Sequence, residues 1–155
     1  MKKTFLLFSL LMISLLAIAQ NPCPQVIPAL QEWKGTKGTL HLPIQGSIII
    51  NPSDETLLAS TAAILKNDLK ELMGWEYTII TGKAKKNSIF LSLSEPDEQL
   101  GKEGYELSII NKVSIQAPTA QGVFWGTRTL LQMLYRQEAK LAKGTTRDWP
   151  EFPNR

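Results

Sequence analysis

Residues 104–134 read GYELSIINKVSIQAPTAQGVFWGTRTLLQML, and the fold class follows from this stretch. In Tyr105-Glu106-Leu107-Ser108-Ile109 apolar and polar side chains alternate, the period of two that turns one face of a strand toward a core. Val113-Ser114-Ile115-Gln116-Ala117 alternates again, and Asn111-Lys112 supplies a two-residue hairpin turn that lacks the usual glycine. Pro118 has no N–H for a ladder and ends the second strand, which leaves Thr119 placed to cap a helix. That helix is expected from about Ala120 to Gln137. Val123, Thr127, Leu130 and Leu134 recur at helical spacing, and Phe124, Leu131 and Tyr135 widen the stripe. Gly122 and Gly126 leave one line of it bare. Each glycine costs roughly 1 kcal/mol against alanine inside a helix, so the pair predicts that the helix backbone lies close to something, most simply the hairpin before it.

Upstream, Met1-Lys2-Lys3 followed by the apolar run Phe5 to Ala19 has the pattern of a signal peptide. Ala17-Ile18-Ala19 offers small residues for cleavage after Ala19. The run is short for a membrane span of about 20 residues, and Gln20-Asn21-Pro22 before Cys23 is not a lipidation box. The expectation is an exported, periplasmic or secreted product without a membrane segment after cleavage. Gln31-Glu32-Trp33-Lys34 and Gly38-Thr39-Leu40-His41-Leu42 read as two short strands around a Gly35–Gly38 turn, and Ser47–Asn51 as a buried strand.

Pro52-Ser53-Asp54-Glu55 opens a helix, with Ser53 as cap and two acids at the favourable end of the dipole. The helix runs to about Met73, with Leu57, Leu58, Thr61, Ile64, Leu65, Leu69 and Leu72 as its apolar side, and Gly74 stops it. Glu76–Ile80 and Ser88–Leu93 are two more strands, joined by the basic connection Gly82-Lys83-Ala84-Lys85-Lys86-Asn87. That connection leads into a strand rather than a helix, which argues for a solvated turn and against a phosphate site. Ser94 to Lys102 reads as a polar loop, and so does Glu138 to Thr146. The order of elements predicts an α+β fold: a mostly antiparallel or mixed sheet of about five to seven strands, with two helices on one face.

Chemistry-bearing residues are sparse. The 155-residue chain carries a formal charge of +3, which falls to +1 without Lys2 and Lys3, so a nucleic-acid partner is not expected. Cys23 is the single cysteine and His41 the single histidine. No internal disulfide, cofactor or Cys/His metal site follows from such a set. His41 sits on the polar face of its strand. A zinc-protease reading, prompted by the sheet-and-helix layout, fails for want of a His-Glu-x-x-His pair.

The Gly104-Tyr105 strand, the Val113-Ser114-Ile115 strand, Gly122-Val123-Phe124-Trp125-Gly126 and Thr129-Leu130-Leu131-Gln132-Met133-Leu134 follow one another in an order that resembles the N-terminal domain of family 20 β-N-acetylhexosaminidases. The terminal Asp148-Trp149-Pro150-Glu151-Phe152-Pro153-Asn154-Arg155 resembles that family's linker into its catalytic (β/α)8 barrel. The similarity runs from about Gln25 to Arg155. Together with the leader it gives three segments: 1–19 signal peptide, 20–146 α+β domain of the resembled type, and 147–155 linker, with the barrel beyond.

The resemblance also implies an activity for the parent enzyme, removal of terminal β-linked N-acetylglucosamine or N-acetylgalactosamine with retention. In that family the substrate's 2-acetamido oxygen is the nucleophile, unlike the usual two-carboxylate scheme. It implies no catalytic, substrate-binding or metal residue in this stretch. Asp54-Glu55 and Asp97-Glu98 lack the family's His-x-Gly-Gly context, and Arg155 corresponds to the start of the first barrel strand, away from the sugar. The partner implied is the barrel, of the same or a neighbouring chain. A separate reading is an exported carbohydrate or cell-wall binding module using Trp33, Trp75, Trp125 and Trp149. Their scattered placement argues for burial instead.

Overall fold

A computed structural model describes residues 20–150; the expected signal peptide and Glu151–Arg155 lie outside the described residues. The strands are β1 (Lys34–His41), β2 (Gln45–Ile50), β3 (Glu76–Thr81), β4 (Ile89–Leu93), β5 (Tyr105–Ile109), β6 (Val113–Ala117) and β7 (Lys140–Asp148). The helices are α1 (Glu55–Met73), entered through a 3-10 turn at Pro52–Asp54, and α2 (Ala120–Arg136). One seven-stranded sheet runs β1-β7-β5-β6-β4-β2-β3. It is mixed: β6, β4, β2 and β3 pair in parallel, whereas β5 is antiparallel to both β6 and β7. The fold is α+β, as the periodicities predict.

Both helices cover the same face. Arg128 of α2 reaches Asp68 of α1, and Leu58, Leu65, Leu69, Val123, Leu130 and Leu134 share one core with Ile48, Ile50, Leu91, Leu107 and Ile115. Strands β2 and β6 run in the same direction, yet α1 carries the chain toward one edge of the sheet and α2 toward the other. With both helices on one face, the two crossovers therefore have opposite hands. One of them departs from the right-handed rule that governs nearly all such connections.

The bare line of α2 meets the hairpin, as its glycines predict. A methyl group on Gly122 would fall on the carbonyl oxygen of Gly104, and one on Gly126 would lie 2.5 Å from Ile115 Cγ2. Thr119 caps α2 by accepting the Gly122 N–H at 3.0 Å. Gly74 stops α1 in the left-handed region at φ 69, its N–H bonded to Lys70 O.

Five expectations are revised. The segment read as a polar loop at Glu138–Thr146 forms β7, inserted between β1 and β5; its Lys, Gly and Thr residues conceal the alternation, and its pairing partners are distant in sequence. Strand β7 also runs to Asp148, so 147 and 148 belong to the sheet. Gly35–Gly38 is not a turn: β1 is one strand whose register slips between Gly35 and Thr39, which lets it continue along β7. The hairpin loop has three residues, Ile110 to Lys112, because Ile109 pairs directly with Val113. Finally, Leu57, Ile64, Leu72 and Tyr135 are exposed, since the sheet covers a narrower sector of each helix than its apolar residues occupy.

Strands β3 and β4 flank β2, so Gly82–Ser88 has to cross that strand. Gly82 N bonds to Ile50 O at one end of the crossing, and Asn87 N bonds to Asn111 O at the other. Helix α1 occupies the core face, which leaves the opposite face for the crossing. Ile49 points to that face, between Ile80 and Phe90 in register, and is fully buried beneath it.

Candidate functional site

Two regions bring polar or unpartnered groups together. The first is the end of β7. Asp148 Oδ2 accepts the Tyr105 phenol at 2.8 Å, and Asp148 Oδ1 accepts the Gln31 N–H at 3.0 Å. The same phenol lies 2.6 Å from Thr129 Oγ1 on α2. Tyr105 is buried, and burial together with the neighbouring Asp148 charge pushes its phenol well above the ordinary tyrosine range. A tyrosine held so firmly protonated serves as a donor, not as a base. One residue earlier, Arg147 bonds to Asp97 Oδ2 at 2.6 Å on the other face. Its Nε sits 2.9 Å from Glu106 Oε1, close enough for charge pairing but off the N–H direction.

The N-terminal segment is strapped to the same region. The Gln132 side-chain amide accepts from Ile27 N and donates to Ile27 O, both at 2.9 Å. Thr146 Oγ1 donates to Glu32 O, and Glu32 N donates to Arg147 O. Residues 25–32, α2 and the end of β7 are thereby tied into one unit, at the point where the chain leaves the sheet.

The second region is the outer valley between the helices. Ile64, Asp68 and Leu72 stack one turn apart on α1, with Leu57 on the same flank. On α2, Phe124 and Arg128 lie one turn apart and Tyr135 two turns further along the same line. The Asp68–Arg128 bond at 2.5 Å makes these two lines face each other, and the Arg128 guanidinium also lies 4.7 Å over the Phe124 ring. Around this ion pair, Leu57 at 61% exposure, Leu72 at 57% and Tyr135 at 71% form an apolar rim.

The residues weighed as chemistry fall elsewhere. Asp54 and Glu55 diverge: Glu55 is exposed on α1, whereas the Asp54 carboxylate turns inward. It accepts the Leu93 N–H at 2.9 Å, Asn51 Nδ2 at 2.8 Å and the Ser53 hydroxyl at 3.1 Å. Neither Ser53 nor Asp54 makes the expected side-chain cap, because Ser53 donates to Asp54 and Asp54 is engaged at the end of β4. Burial works to raise the Asp54 carboxyl, but these three donors outweigh it and hold the group below the usual carboxylate value. Asp97 caps its own loop through Gln99 N and Leu100 N and pairs with Arg147. His41 is exposed beside Thr39.

The four tryptophans do not converge. Trp75 stacks on Tyr77 in the core, with centroids 5.9 Å apart. The Trp33 indole donates to Asn21 O and covers Gly144, while Trp125 lies on the outside of α2. Among the described residues no group of three or more His, Cys, Asp and Glu side chains gathers as a metal site. No sequence signal pointed to Asp54 as a buried acceptor, because the Leu93 N–H comes from a distant strand; Asp148 stood out only within the linker-like stretch, and its donors, Gln31 and Tyr105, lie far away along the chain.

The comparisons agree with this geometry. The family model described as glycosyl hydrolase family 20, domain 2, matches residues 23–149. A lacto-N-biosidase of Bifidobacterium bifidum is 31% identical over 134 residues, which are 85% of this chain but 12% of that protein. The β-N-acetylhexosaminidase of Streptomyces coelicolor superposes with a TM-score of 0.71 at 26% identity, over 86% of this chain and 28% of that one. The exo-β-N-acetylglucosaminidase of Vibrio harveyi, at 19% identity and a TM-score of 0.65, shares the fold. The chain thus spans between an eighth and about a quarter of these relatives. It belongs to glycosyl hydrolase family 20, as that family's domain 2.

Proposed function

We propose that this chain is the non-catalytic N-terminal domain of an exported β-N-acetylhexosaminidase, and that the outer valley of α1 and α2 docks on the catalytic barrel. The observation that carries the reading is the domain match over residues 23–149, joined to the state of the carboxylates. Glycoside hydrolysis needs acidic groups free to face a sugar. Here Asp54, Asp97 and Asp148 are each engaged by backbone N–H groups and side-chain donors. The exposed Leu57, Leu72 and Tyr135 supply the apolar surface a barrel would cover. The parent activity follows from the family: removal of terminal β-linked N-acetylglucosamine or N-acetylgalactosamine. The leader at 1–19 supports export, with cleavage after Ala19.

The test is an assay of the purified chain on an aryl β-N-acetylglucosaminide, paired with an immunoblot of the native product in periplasmic and medium fractions. The expected outcome is no hydrolysis by the chain and a native band several times its size in an exported fraction. Turnover by the purified chain would overturn the non-catalytic reading. A native band near 17 kDa would favour a domain that acts alone.

A further inference from the structure

The face opposite the helices carries a second feature, which stands independently of any barrel. The Gly82–Asn87 connection crosses that face with Lys83, Lys85 and Lys86 exposed. Its far end is fastened to the β5–β6 turn, the turn that carries Lys112, by the Asn87 N–H on Asn111 O at 2.9 Å. Ser88 Oγ donates to Lys85 O at 2.7 Å and secures the last turn of the crossing. No Asp or Glu occurs between Glu76 and Glu95 or between Glu106 and Glu138. The ion pairs among the described residues involve other groups: Lys70–Glu76, Arg128–Asp68 and Arg147 with Asp97 and Glu106. Four lysines are thus carried by two adjoining, anchored loops, and none of them is in an ion pair among the described residues. The mature chain as a whole is close to neutral, so this is a local concentration of charge and not a reflection of net charge.

We propose that the lysine crossing and Lys112 form a docking surface for an acidic polysaccharide, a polymer bearing sulfate or carboxylate groups. The neighbouring sheet surface favours this partner over other anions. Ser108, Ser114 and Gln116 alternate with the core residues of β5 and β6, so they face the same side as the crossing and stand half-buried in adjacent registers. Ser108 and Ser114 offer hydroxyl groups to a hydroxylated polymer whose anionic substituents meet the lysines, while the Gln116 amide donates to Leu93 O and the neighbouring Glu106 carboxylate pairs with Arg147. A membrane surface fits less well, because Ile110 is the one exposed large apolar side chain of the two loops and Ile80 and Phe90 on the same face are half-buried, whereas interfacial binding needs an apolar face to insert. Single-stranded nucleic acid would need exposed aromatic rings for stacking, and the two loops contain none.

The experiment titrates the full chain with dextran sulfate and with polygalacturonate at low and at physiological salt, alongside neutral dextran and phosphatidylglycerol vesicles. Two variants are compared. One carries Lys83→Gln, Lys85→Gln, Lys86→Gln and Lys112→Gln. The other removes the same charge at the opposite edge through Lys34→Gln, Lys37→Gln, Lys140→Gln and Lys143→Gln. Thermal melts confirm that both fold. The expected result is binding to both polyanions that weakens steeply with salt, falls at least tenfold in the crossing variant, and is retained in the edge variant. Equal losses in the two variants would mean nonspecific charge and overturn the proposal. So would binding to vesicles without binding to either polymer, or no binding to the polymers at low salt.

Discussion

The phenol of Tyr105, at the start of β5, donates to the carboxylate of Asp148, the last residue of β7, at 2.8 Å, while its oxygen lies 2.6 Å from Thr129 Oγ1 on α2. A strand, a helix and the exit of the sheet thus meet at one buried hydroxyl.

Tyr105→Phe keeps the ring and removes that hydroxyl, leaving the Thr129 hydroxyl and Asp148 Oδ2 short of a partner. Leaving a buried polar group unsatisfied costs about 1–3 kcal/mol. The expected result is a lower urea midpoint with unchanged slope. The Gln31 amide, held by the other oxygen of Asp148, should also exchange faster with solvent. An unaltered midpoint would show that the network contributes nothing net.

The two helix glycines should differ in their response to alanine. Alanine has the better helix propensity by about 1 kcal/mol, but both sites are closed. At Gly122 the added methyl meets backbone, the Gly104 carbonyl, whereas at Gly126 it meets the Ile115 and Tyr105 side chains. Side chains shift more readily than backbone, and overpacking costs about 1–3 kcal/mol. Gly122→Ala is therefore expected to lower the melting temperature more than Gly126→Ala. Calorimetry giving the opposite order would contradict the packing described for α2.

Asp54 should make stability sensitive to acid. Its folded-state carboxyl is held below the ordinary value by Leu93 N–H, Asn51 and Ser53, against burial. The stabilisation is therefore fully present above the unfolded-state pKa of about 3.9 and is lost as pH falls through the lower folded-state value. Denaturation midpoints measured from pH 2 to 7 should fall below about pH 4, and Asp54→Asn should flatten that fall while lowering the plateau. The same acid slope in the variant would assign the effect to other carboxylates.

The apolar rim of the helical valley should contribute to association and not to folding. Leu72→Ser combined with Tyr135→Ser is expected to change unfolding free energy by no more than about 0.5 kcal/mol per site, as for exposed positions. Self-association at high concentration, followed by sedimentation, should weaken. A clean monomer in the unsubstituted chain would show that this surface does not associate with itself.

Much of this architecture is local and could be read along the chain. The hairpin of β5 and β6, the Thr119 cap, the Gly74 stop and the close approach at Gly122 and Gly126 all rest on residues a few positions apart, where periodicity and backbone preference act directly. Strand β7 is different. Its place between β1 and β5 depends on partners more than a hundred residues apart at Lys34–Thr145 and some forty apart at Tyr105–Asp148, and its own residues show no clean alternation. Asp54 stands in a sequence context that reads as a helix cap, yet the end of β4 offers an unpaired N–H at Leu93 and draws the carboxylate away. The pattern of α1 marks Leu57, Ile64 and Leu72 as apolar without saying what covers them. Packing on the sheet buries only the sector around Leu58, Leu65 and Leu69, because a flat layer reaches one side of a cylinder. The sequence thus carried the elements and their caps, and long-range pairing assigned each its neighbours and left the outer valley bare.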